Sequence, residues 1–186
     1  MTGFDPALLG PLAPLAGIWE GDQGKDVAPA ADLSVESSDY RERLVLEPMN
    51  PVDNHTQWLY GLRYSTVAWR LGQADPFHEE QGYWLWDPAA AQVYRCFIVP
   101  RGVSVLAGGD VAADARQWKL SAEVGSEVFG ICAQPFLSGA FRVLSYALEM
   151  DVGDGSFSYK EDTVLQIKGL SDLFHHTDEN TLKRVS

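Results

Sequence analysis

From Tyr40 onward the chain alternates. Tyr40, Glu42, Leu44 and Leu46 share one face of an extended segment, and Arg41, Arg43, Val45 and Glu47 share the other. Pro48 ends that run, and Pro51 with Asp53-Asn54 completes a turn. Trp58, Tyr60 and Leu62 then alternate against Gln57, Leu59 and Gly61, and Tyr64 to Arg70 continues the direction, with Gly61 predicted as a bulge or bend. Further strands are predicted over Phe77 to Trp86, Gln92 to Val99, Val103 to Ala107 and Gln117 to Val124, with Gly108-Gly109-Asp110 breaking the third of these. Phe129 to Phe141 is apolar but cut by Pro135 and Gly139, and its pattern names no element. Val143 to Asp151, Gly153-Asp154-Gly155 and the alternating Phe157 to Ile167 make a hairpin, and Asp178 to Val185 supplies a last strand.

The start of the chain fits the same plan. Leu8 to Leu15 is an apolar run cut by Gly10, Pro11 and Pro14, suited to a turn or two of helix capped by Asp5-Pro6. In Gly17-Ile18-Trp19-Glu20-Gly21 a large ring stands between bare backbones, as a plug at a barrel floor would. Gln23 to Ser38, rich in Ala, Asp, Ser and Pro, reads as a mobile loop over one mouth. About ten short strands with almost no helix predict an all-β, up-and-down antiparallel barrel occupying the whole chain, 1–186, as one domain, its last strand pairing with its first. A barrel of that size has room for a small guest, and walls rich in Trp, Tyr, Phe and Leu suit a hydrophobic or planar one.

Composition narrows the partners. A net charge of -12 and a pI near 4.6 argue against nucleic-acid backbone and against an anionic membrane surface. Two cysteines, Cys96 and Cys132, make neither a disulfide framework nor a zinc spacing. Met1-Thr2-Gly3-Phe4-Asp5 has no basic run of the signal-peptide kind, so a cytoplasmic protein is expected.

Candidate chemistry is sparse. His55 belongs to a turn. His78 and Glu80 project from one strand face, a geometry open to metal or proton relay but common in solvated rim pairs. His175-His176 precedes the closing strand; adjacent strand residues point oppositely, so only one of the two can face inward, where a neutral imidazole could ligate a haem iron. Glu42, Glu79, Glu80, Glu149 and Glu161 read as solvated strand positions, and no nucleophile motif or phosphate-cradling loop is present. Which of Arg41, Arg43, Arg63 and Arg95 faces inward is open; an inward arginine would favour a carboxylate ligand.

Three motifs together resemble the nitrobindins, haem-binding barrels related to fatty-acid-binding proteins. Leu15-Ala16-Gly17-Ile18-Trp19-Glu20-Gly21 is similar to that family's GxWxGxG opening, carried here by Gly17, Trp19 and Gly21. Phe77-His78-Glu79-Glu80-Gln81-Gly82-Tyr83-Trp84 is similar to its Met-His-x-Glu-x-Gly-aromatic strand, and a histidine precedes the last strand. The resemblance implies ferric haem b at one mouth on a single proximal histidine, with His78 distal, and nitric oxide binding with isomerisation of peroxynitrite to nitrate. Two positions depart from the pattern. Gln23 stands where the third glycine belongs, with Gly24 one later, and counting back from Leu182 puts Thr177, not His176, at the proximal position. In register, that offset turns His176 to the opposite face. The expectation is therefore a branch that keeps the barrel and lacks the iron ligand, binding a small hydrophobic or planar molecule without catalysis; Trp58, Tyr60, His78 and Thr177 are its candidate cavity residues. The alternatives are a haem protein using His176 or His175, and a dimerising module with a packed interior.

Overall fold

The alternating segments close on themselves. The computed structural model describes residues 5–185. Its strands are β1 (Gly17–Pro29), β2 (Val35–Pro48), β3 (Val52–Asp53), β4 (Trp58–Arg70), β5 (His78–Asp87), β6 (Gln92–Val99) and β7 (Val103–Asp110), then β8 (Gln117–Val124), β9 (Gly130–Ala133), β10 (Phe141–Val152), β11 (Ser156–Ile167) and β12 (Phe174–Arg184). Ten long strands run antiparallel round the wall, β1-β2-β4-β5-β6-β7-β8-β10-β11-β12, and β12 returns to pair with β1. Short β9 is an eleventh, wedged between β7 and β8 and parallel to β8, while β3 pairs only with the start of β4. The predicted up-and-down barrel is the observed fold.

An N-terminal 3-10 helix, Pro6–Leu15, closes the floor, with the Asp5 side chain capping it by accepting from the Ala7 amide at 3.0 Å. Leu9, Leu12 and Leu15 are buried beneath the barrel. Trp19 is wholly buried above them; its indole N–H donates to the Leu15 carbonyl at 2.7 Å, and its ring meets Phe157 edge-on at 4.9 Å. No helix among the described residues is long and apolar enough to cross a membrane.

Four details differ from the sequence reading. Gln23 to Ser38 is not a loop: β1 runs on to Pro29, and a turn closed by the Ala30 amide to the Ser34 carbonyl (2.9 Å) leads into β2. Polar, alanine-rich residues extend here because Gly24 to Pro29 pair with Val35 to Tyr40, and Lys25 to Val27 pair with β12 as well. Gly61 is no bulge, since β4 keeps unbroken register with β5 through it. Its bare backbone admits the Trp84 carbonyl, which a Cβ would meet at 2.5 Å. Gly108 and Gly109 continue β7 rather than ending it. Phe129 to Phe141 splits into β9 and a short helix, α1 (Pro135–Ala140), capped by the Gln134 side chain.

Candidate functional site

Besides a register shift in β10 between Val143 and Ser145, a bulge that matters to the interior lies in β1. Its pairing with β2 is in one register from Gly17 to Gly21 and shifts by one residue by Gly24, and the pairing with β12 shifts between Glu20 and Lys25. One extra residue exchanges the faces. Trp19 points in before the bulge; Gly24, Asp26 and Ala28 point in after it. The glycine displaced from the family motif marks this step, and its consequence is a carboxylate inside the mouth.

The interior holds a cavity of about 600 Å³. Its lower wall is apolar, with Leu44, Leu46, Trp84, Leu148, Met150 and Phe157. Phe77, Leu137, Phe141, Val143 and Leu165 also line it. A polar network crosses it. Arg95 is buried and donates to Glu80 at 2.7 Å, to Glu161 and Tyr146, and through Nε to the Tyr64 hydroxyl at 3.2 Å. Tyr64 donates to the same Glu80 oxygen at 2.9 Å, and His78 Nε2 meets the other at 3.2 Å. Burial pushes the Glu80 carboxyl up, but Arg95 and then His78 outweigh it and hold it at about 2. The same contact raises His78: burial works against its charge, and the Glu80 hydrogen bond and charge prevail.

A second set surrounds Glu42. It accepts from Thr66 at 2.7 Å, Tyr159 at 2.8 Å and Asn180 at 3.2 Å. Burial nonetheless drives its carboxyl above the ordinary range, because no cation pairs with it. Tyr40 continues the chain, its hydroxyl 2.8 Å from that of Tyr159. Gly21 leaves the space Asn180 fills, since a Cβ there would stand 2.9 Å from the Asn180 amide oxygen.

At the mouth, His176 is about a third exposed and its Nε2 lies 3.0 Å from Asp26 Oδ1. Asp26 is itself buried, accepts from Ser38 at 3.3 Å and has Arg70 at 3.9 Å. His175 points outward to Asp162, 2.8 Å away.

The candidates from sequence are thus dispersed. His78 and His176 line the cavity from β5 and β12, and Gly17, Trp19 and Gly21 belong to β1 below it. Thr177 does not line it: β12 pairs with β11 in unbroken register, so Phe174, His176, Asp178, Asn180 and Leu182 form the inner row and Thr177 lies on the other face. The offset argument therefore runs the other way, with His176 sharing the face of Leu182. Trp58 is half exposed at the start of β4, and Tyr60 packs against the core outside the cavity. Glu42, Glu80 and Glu161 are inward, not solvated; Glu79 and Glu149 are exposed. Asp26, Tyr159 and Asp178 were not singled out as cavity residues, and Arg95 stood only as one of four arginines of open direction. Arg95 could have been singled out, because Val93, Arg95, Phe97 and Val99 form one face of β6. Asp26 could not, because its direction depends on the bulge. Among the described residues no group of three or more His, Cys, Asp or Glu is placed to hold a metal ion.

The chain matches the family model described as "THAP4-like, heme-binding beta-barrel domain" over residues 8–184. No curated protein sequence matches it. Among solved structures, Rv2717c from M. tuberculosis superposes with a TM-score of 0.70 at 20% identity, covering 99% of this chain and 100% of that one. At that identity the likeness is one of fold. With every strand inside the matched region, the chain belongs to the family of THAP4-like, heme-binding β-barrel domains, the nitrobindin-like barrels its motifs resemble.

Proposed function

We propose that this barrel binds a small, largely apolar molecule in its cavity and does not hold haem through a histidine–iron bond. The cavity supports the first half: it is of ligand size, mostly apolar, and crossed by a few convergent polar groups, the usual make-up of a small-molecule site. The second half rests on how His176 is tethered. An imidazole that ligates a metal commonly gives its other ring nitrogen to a carboxylate. Here the carboxylate holds Nε2, the outer nitrogen, and leaves Nδ1 beside the side chain's own root. A macrocycle centred on Nδ1 would press against the main chain of β12. His78 is tied in the same way, Nε2 to Glu80. As arranged, these residues do not fit a histidine-ligated haem.

Hemin titration followed by absorbance tests this. The expected result is no Soret band that depends on His176. A band that appears with the wild-type chain and vanishes in His176→Ala would overturn the reading. In parallel, a panel of lipophiles should raise Tm, since a ligand bound only by the folded state at a hundred times its Kd adds about 2.7 kcal/mol. A flat Tm across the panel would remove the case for a guest.

A further inference from the structure

Three acidic residues stand side by side on the inner wall. Asp26 of β1 is the register partner of Asp178 of β12, and Asp178 is in turn the register partner of Glu161 of β11. All three line the cavity. Like charges directly opposite one another across a ladder are destabilising, so such a row needs cations. The two outer members have them. Asp26 faces His176 at 3.0 Å and Arg70 at 3.9 Å, and Glu161 is paired with Arg95. The middle member has neither a hydrogen-bond donor nor an ion-pair partner among the described residues, although it is partly buried and lines the cavity. A carboxylate withdrawn from water beside two others, with no partner of its own, is costly.

We propose that the cavity takes an organic ammonium ligand, a protonated amine on an apolar body, with its charged nitrogen set against Asp178. The flanking groups would share the contact, since Asp26 and Glu161 lie one strand away on either side. Apolar walls above and below suit the body of such a molecule. Without a cation beside it, burial and then the charges of Glu161, Glu80, Glu42 and Asp26 all push the Asp178 carboxyl well up. An ammonium ion set against it opposes that push and favours loss of its proton to solvent. The inference rests on the cavity reading above and specifies its ligand class.

Calorimetry with three probes of one shape tests it: 1-naphthylmethylamine, 1-naphthylmethanol and 1-naphthoic acid. The amine is expected to bind at least tenfold more tightly than the alcohol, as a hydrogen bond to a charged group is worth more than a neutral one. It is also expected to release protons on binding, read from the heat in buffers of different ionisation enthalpy, whereas the alcohol releases none. Asp178→Asn should bring amine and alcohol within about threefold of each other, while Glu179→Gln, the next residue and outward-facing, leaves the preference intact. Equal binding of all three probes, tightest binding of the acid, or an amine preference that survives Asp178→Asn would overturn the inference while the cavity reading stands. If no probe binds, both fall. The proton count on the wild-type chain decides the matter even if Asp178→Asn does not fold.

Discussion

Arg95 donates to two buried carboxylates and contacts two buried phenols, so the interior's charge balance hangs on one guanidinium. Removing it leaves Glu161 with no cation and Glu80 with His78 alone. Truncation to Arg95→Leu is expected to cost about 3–5 kcal/mol, the usual penalty for breaking a buried pair from one side, and denaturant unfolding measures it. Adding Glu80→Gln and Glu161→Gln should restore most of that loss, because the charges left uncompensated are then gone. A lysine would not substitute, lacking the fork that reaches several oxygens at once. The acid side of the network has a definite sign. Glu80 sits at about 2 in the fold against an ordinary 4.5, so its contribution is present above 4.5 and lost as pH falls towards 2. His78 is raised above 6.5, so its contribution is full below 6.5 and lost as pH climbs through its folded value. Proton NMR of the His78 ring should show the raised value and its fall in Glu80→Gln. An unchanged titration there would separate the two residues.

Strands reveal themselves through alternation, and the phase of one strand can be altered by a single residue. Tyr40, Glu42, Leu44 and Leu46 were legible as one face of β2 because nothing interrupts their period, and they do point inward. The β1 bulge was not legible, because the displaced Gly24 reads as an extra residue only against the partners on both sides. Thr177 and His176 exchanged faces between sequence and structure for a different reason: β12 alternates without a break, so the residue six before Leu182 shares its face and the residue five before does not. The bulge turns Asp26 inward, and Asp26 holds the outer nitrogen of His176. Asp26→Ala cuts that tether and leaves Nε2 free to swing into the mouth. Hemin added to this variant is expected to give the Soret band of a histidine-bound iron, while the wild-type chain does not. Identical spectra from the two would show that something other than the tether keeps the ring from iron.

Closure is uneven round the wall. β1 and β2 share eleven register pairs, β6 and β7 eight, and β8 and β10 seven, whereas β7 and β8 share only Gly108↔Ser121. β9 fills the gap with three pairs to β7 and two parallel pairs to β8. Gly108 makes the approach possible by leaving room for the Phe129 ring, which leads into β9. The segment whose pattern named no element, Phe129 to Phe141, is this wedge and the α1 turn behind it. It reads as neither strand nor helix because it plugs a place where the ring of strands fails to pair. Few hydrogen bonds and a short helix make the seam the part of the barrel that opens most cheaply. Leu137 of α1 and Phe141 just after it line the cavity, so opening there would uncover the guest. Hydrogen exchange should accordingly be fastest among ladder amides at Gly130–Ala133 and slow at Leu44 and Leu46 in β2, and a bound ligand should slow the seam more than any other part of the wall. Equal protection of β9 and β2 in the free protein would place the entry elsewhere, leaving the apolar mouth between Phe77 and Leu165 as the route.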